Sequence, residues 1–211
     1  MTLSKRTQQS VTNGKPKVRS RLSVGAVRSE ETTNAILTAA AEILEERGYA
    51  GFTLDAVVSR AESSKPTIYR WWKNKAALIR DVYERSGEAS LSPPDNGNLE
   101  QDLHEHLRAL WQWWSASRSG EVLRSFITEV QLCPESLEEF RKSFLPRRQQ
   151  VMRRILLRAV GRGDIPGGPA VESAVTLLTG ASWLHLLTGN LDAVGELEGT
   201  VKLVVNGLRA R

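Results

Sequence analysis

Two helix-start signals, Thr53 and Ser64, stand so close together that only one short helix and a tight turn fit between them. Thr53 precedes LDAVVSRA and has the side chain of an N-cap. Asp55 falls in the first turn that follows, where a carboxylate suits the positive end of the helix dipole. Leu54, Val57 and Val58 give this helix a buried face. Ser64 caps KPTIYRWW, with Pro66 inside the first turn, where a missing N–H costs nothing. Upstream, Ile36, Ala40, Ile43 and Leu44 share one face of a longer helix that ends near Arg47, with Gly48 as its C-terminal glycine. A longer helix followed by two short ones across a tight turn is a three-helix helix-turn-helix unit.

Downstream the pattern stays helical. A fourth helix starts at about Lys75 and runs through AALIRDVYERS, and LSPPDNGN marks a break near residues 91–98. Leu99, Leu103, Leu107, Leu110 and Trp114 form a stripe, followed by Val122, Phe126, Ile127 and Val130. Pro134 opens a helix carrying Leu137, Phe140, Phe144, Met152, Ile155 and Leu156, with Pro146 as a kink, and GRGDIPGGP ends it. Two more helices close the chain, and no segment alternates as a strand does. The expected fold is all-α: a basic tail over 1–28, a helix-turn-helix domain over 29–75 and a helical effector-binding and dimerisation domain over 76–211.

Composition narrows the chemistry. The net charge is +5, yet residues 1–29 hold seven cations and no acid, so the rest of the chain carries −2. A basic patch on the folded part must therefore be local. The tail reads either as a DNA-binding extension or as an unselected end. Cys133 is the single cysteine and there are three histidines, which argues against a disulfide or a metal site, and no cofactor is expected. No unbroken apolar run reaches membrane-spanning length and no signal-peptide core is present, so a cytoplasmic protein without a membrane partner is expected.

SSKPTIYRWWKNK, residues 63–75, supplies what a helix in the DNA major groove needs: four cations, three aromatics and no acid. Lys65 and Thr67 stand on the first turn within reach of base edges, and the Pro66 ring suits a thymine methyl. The Tyr69 hydroxyl and the Trp71 indole N–H can meet phosphates, and Lys75 opens the next helix, where its ammonium and the helix amides can hold one phosphate together.

Residues 35–79 resemble the N-terminal domain of the TetR family of transcriptional regulators. The resemblance is carried by the Ala39–Ala40 pair, Gly48, Thr53, Ala61, Ser64, the TIY of residues 67–69 and Lys75. It implies phosphate contacts by Thr53, Tyr69 and Lys75, base contacts by Lys65, Pro66 and Thr67, a phosphate-facing Trp71 and a core Trp72. Glu62 departs from the pattern, since that turn usually carries glycine.

The resemblance also implies a cavity among the middle helices whose occupant moves the fourth helix and changes the separation of two reading heads. Candidate lining residues are Trp111, Trp114, Phe126, Phe144 and Trp183. Trp111, Trp113 and Trp114 cannot all face one way, and the alternative for each is plain core. The last two helices are aliphatic on one face, and Leu177, Ala181, Leu184, Val201, Val204, Val205 and Leu208 are the expected homodimer interface. The expected protein is a regulator that represses from a palindromic operator and is released by a small, largely apolar effector. The alternatives are an enzyme on the helical half, and a regulator that senses no ligand or is controlled by a partner protein.

Overall fold

The structure is a computed structural model that describes residues 30–88 and 92–209. The basic tail expected over 1–28 and the first residue of the expected linker lie outside the described residues. Among those described there are helices and no strand: α1 (Glu30–Arg47), α2 (Leu54–Arg60), α3 (Lys65–Trp71), α4 (Lys75–Glu88), α5 (Leu99–Ala116), α6 (Ser119–Val130), α7 (Pro134–Glu139), α8 (Leu145–Arg162), α9 (Pro169–Thr188) and α10 (Val194–Arg209).

The local signals of the first half hold. Thr53 Oγ1 accepts from Ala56 N at 3.2 Å and Ser64 Oγ accepts from Thr67 N at 3.3 Å, capping α2 and α3. Gly48 ends α1 with φ +65°. That glycine has a second reason: a Cβ there would overlap the Glu121 carboxylate of α6, whose Oε1 accepts from Tyr49 N at 3.4 Å. Arg60 grips Glu46 through two hydrogen bonds of 2.7 Å and ties α2 to α1. Glu62, in the turn between α2 and α3, has φ +48° and is the one non-glycine residue with positive φ among those described. A left-handed conformation costs an L-residue about 1–2 kcal/mol, which glycine would avoid.

α4 belongs to both halves. Leu78, Ile79, Val82 and Tyr83 are buried, and the helix packs on α1 and on α6. Trp72 is buried at the end of α3, and its indole N–H donates to Asp81 Oδ2 of α4 at 2.8 Å, so the recognition segment is bolted to the same helix. Arg147 of α8 pairs with Glu84 at 2.7 Å, and Arg80 pairs with both Asp81 and Glu139.

The kink expected at Pro146 takes the form of a π-helical turn, Phe140–Phe144, between α7 and α8. Proline lacks the N–H of the regular ladder, and the wider turn absorbs the mismatch just ahead of it. The turn brings the Phe140 and Phe144 rings into a stack at 5.2 Å, with Phe126 edge-on to Phe144 at 5.0 Å.

α9 meets the length and hydropathy requirement for crossing a membrane, which a search for unbroken apolar runs passes over because Glu172 and His185 interrupt it. In the fold it is a packing helix that buries Val171, Ala174, Val175, Leu178 and Leu186 against its neighbours. His185 lies 3.0 Å from the Asn190 carbonyl through Nδ1 and packs on the Trp111 ring.

His106 of α5 is different: it is buried and its Nδ1 has no partner. Burial holds its pKa down at about 4, so the ring is neutral in the folded protein. Below the unfolded value of about 6.5 the unfolded chain binds a proton that the folded chain refuses, so stability falls with pH from there to about 4. Between pH 8 and pH 5 this group should remove about 2 kcal/mol of unfolding free energy. Urea titrations of the wild type and His106→Gln should show the variant losing less stability over that interval by this amount; parallel losses would contradict the assignment.

Candidate nucleic-acid interface

α3 divides cleanly. Ile68 and Trp72, four residues apart, point into the core, while Lys65, Pro66, Tyr69, Arg70 and Trp71 are exposed on the other side. Tyr69 at 52% and Trp71 at 36% are large aromatics presented to solvent on a short cationic helix. Thr53 and Ser64 are exposed on the same unit. Each has its oxygen engaged as a helix cap, and a hydroxyl keeps a donor for a further partner. The Ser64 and Thr67 hydroxyls also share a hydrogen bond of 2.8 Å, in which either can be the donor.

The cations of this stretch are not equivalent. Lys65 Nζ is 2.8 Å from Asp55 Oδ1 of α2, with both side chains exposed, and this hydrogen-bonded pairing raises the lysine pKa. Reaching a base requires that pair to open. Lys75 donates to the Tyr49 carbonyl at 2.7 Å and stands 3.9 Å from the centre of the Tyr49 ring, and burial lowers its pKa. One of its three N–H donors is therefore turned inward, and the side chain is partly buried at the start of α4. Arg70 and Lys73, absent from the expected contact set, are exposed and carry no ion pair among the described residues. They can meet phosphate without first breaking a pair. Their signal lay in the count of cations in residues 63–75, not in any motif.

The second expected site is a cavity of about 450 Å³ in the helical half. Trp114, Phe144 and Trp183 of the expected set line it, together with Trp113. Trp111 does not: it is buried in the core against His185. Phe126 does not either, being taken up in the phenylalanine stack and bordering a separate groove between α4 and α7. Sequence reading missed Tyr83 of α4, His106, Arg148 and Ser182, none of which stands in a periodic stripe that marks a cavity wall. Tyr83 is buried and accepts a hydrogen bond of 2.8 Å from the Trp114 indole. Burial raises its pKa, so the phenol stays protonated.

The expected dimer interface needs correction in α10. Val201, Val204, Val205 and Leu208 are buried within the chain, where α10 packs on α5 and α9, so they are core and unavailable to a second copy. On α9, Leu177 and Leu184 are exposed at 59% and 61%, and Ala181 is half-buried between them. Leu187 of α9 and Leu203 of α10 are exposed as well.

The Asp55–Lys65 pair generates a direct expectation. Asp55→Asn should free the ammonium and remove a negative charge beside the groove, strengthening binding to any duplex about threefold or more, on the order of 1 kcal/mol. Fluorescence anisotropy with operator and unrelated DNA checks this; unchanged affinity for both would mean that Lys65 does not approach the duplex.

Residues 36–82 match the family described as bacterial regulatory proteins, tetR family, and residues 93–197 match a tetracyclin repressor-like C-terminal domain. The uncharacterized HTH-type transcriptional regulator YdeS of Bacillus subtilis strain 168 is 34% identical over 163 residues, covering 77% of this chain and 82% of the relative. The DNA-binding transcriptional repressor TetR of Mycobacteroides abscessus is 40% identical over 78 residues, covering 36% of this chain and 40% of that one. Among solved structures, the TetR family transcription regulator SCO0332 superposes with a TM-score of 0.75 at 28% identity, over 84% of this chain and 98% of that one. These relatives are transcriptional regulators and not enzymes, and the chain belongs to the TetR family of DNA-binding transcriptional regulators.

Proposed function

We propose that the protein is a cytoplasmic, ligand-released repressor that binds a palindromic operator as a homodimer. The observation that carries this reading is the double role of α4. Its first residue, Lys75, stands beside the recognition segment, and Trp72 is bonded to it through Asp81. Its Tyr83 forms part of the cavity wall and is bonded to Trp114. A molecule that fills the cavity touches the helix that carries the reading head, so it favours one head position by its differential affinity. On this reading residues 29–75 form the DNA-binding domain and 76–211 the effector and dimerisation domain, with α4 shared. Thr53, Tyr69, Trp71 and Lys75 contact phosphate, joined by Arg70 and Lys73; Ser64, Lys65, Pro66 and Thr67 form the base-reading edge. The repressor sense agrees with that of the Mycobacteroides abscessus relative, a DNA-binding transcriptional repressor.

The partner in the dimer is a second copy laid against α9. Leu177, Gly180, Ala181 and Leu184 recur at helical spacing on an open face, and Gly180 has no atom within 4 Å of where a Cβ would stand, which leaves room for a close helix approach. Two such heads place half-sites about 34–36 Å apart or a multiple of that.

Both claims are tested with one pair of proteins. Wild type should sediment as a dimer and bind operator DNA with a log–log salt slope near −7 to −11, the value for roughly 8–12 phosphate contacts over two heads. Leu184→Glu should sediment as a monomer, retain its helical circular dichroism and lose operator affinity about 100-fold or more, because the two heads no longer share an effective concentration. A dimeric, tight-binding Leu184→Glu would contradict the interface, and a salt slope near zero would contradict the DNA contacts.

A further inference from the structure

We infer that the cavity takes an amphipathic monoanion, an aromatic carboxylate whose acid group is received by Arg148. The inference rests on the reading of this cavity as the effector site. Five large aromatic side chains line it, with Trp113, Trp114 and Trp183 beside Tyr83 and Phe144. Among the described residues that line it there are arginines and no Asp or Glu. Arg147 is already neutralised by Glu84, and Arg154 is exposed at the edge. Arg148 is the exception: its Nε is buried without a hydrogen-bond partner, and the residue has no ion pair among the described residues.

What holds the Arg148 guanidinium is a pair of ring faces. Its carbon lies 5.7 Å from the centre of Tyr83 and 5.8 Å from that of Phe144. Aromatic faces steady a cation without neutralising it or accepting its N–H donors in the plane of the fork. A partly buried cation whose Nε lacks a partner is costly, and a carboxylate is the group whose two oxygens match the guanidinium fork. The remaining polar atoms of the wall specify the body of the ligand. His106 Nδ1 and Ser182 Oγ are buried and unpartnered, so a neutral hydroxyl or carbonyl on the ligand satisfies what the protein leaves open. A volume of about 450 Å³ lies toward the small end of ligand pockets and suits a body of about two rings.

The test uses matched probes on the full-length protein: 2-naphthoate and 6-hydroxy-2-naphthoate against the corresponding neutral amides, with binding measured by isothermal titration calorimetry. The acids should bind at least tenfold tighter than the amides. Arg148→Met should erase that preference while leaving amide affinity within twofold, Arg148→Lys should keep part of it, and Arg154→Met at the edge should leave it intact. Circular dichroism verifies folding, and the lysine variant keeps the comparison decisive if the methionine variant does not fold. Amides that bind as tightly as acids, or a preference that survives in Arg148→Met, would overturn the anion assignment while leaving the effector cavity standing. Failure of every acid and amide to bind the wild type would overturn the cavity reading itself and the inference with it.

Discussion

The hydrogen bond from the Trp114 indole to the buried Tyr83 hydroxyl is the contact on which the rest of the arrangement depends. It joins α4 to α5 at the cavity wall, where burial raises the phenol pKa and keeps the Tyr83 hydroxyl protonated. Removing one partner would leave a buried polar group unsatisfied, at a cost of about 1–3 kcal/mol. α4 also carries Asp81, which holds Trp72, so on the proposed reading a shift of Tyr83 would reach the end of α3 through this helix. The link is a short chain of two hydrogen bonds and one helix, not a diffuse path.

A second junction runs beside it. Tyr49 follows the Gly48 cap, and its peptide N–H faces Glu121 at the start of α6 while its carbonyl and ring hold Lys75. Glycine is favoured at 48 by its positive φ, and a Cβ there would also make the Glu121 carboxylate shift. The same few residues therefore terminate α1, seat the C-terminal helical half on the helix-turn-helix half and position a cation next to the expected phosphate path. This economy explains why Lys75 is partly buried, which a side chain used for phosphate alone would not need to be.

The first four helices were legible in the sequence because their boundaries are written in cap chemistry: Thr53 and Ser64 accept the backbone N–H groups expected of them, and Gly48 adopts the left-handed turn. Glu62 was legible as a departure and proves to be a strained position. The last two helices were less legible for a physical reason. α9 is apolar almost all round, so its sequence does not say which side meets the core, and α10 has one aliphatic stripe that could face a partner or the chain itself. Packing on α5 decides the matter by burying Val201, Val204, Val205 and Leu208. Cavity residues are hardest to read, because Trp111 and Trp114 differ by less than one helical turn yet serve core and cavity respectively. Arg148 is one arginine among several on α8, and what sets it apart is three-dimensional: a buried, unpartnered Nε and a guanidinium held against Tyr83 and Phe144.

The central claim, that filling the cavity moves the reading heads, is tested most directly by the distance between them. Spin labels at Ser59→Cys, on the exposed side of α2 and in a Cys133→Ser background, report the head separation in the dimer by double electron–electron resonance. The account predicts a distance distribution that shifts by several ångströms when a cavity ligand is saturating and that returns to the ligand-free value when operator DNA is added in excess. A distribution unchanged by a ligand shown to occupy the cavity would contradict the coupling through α4.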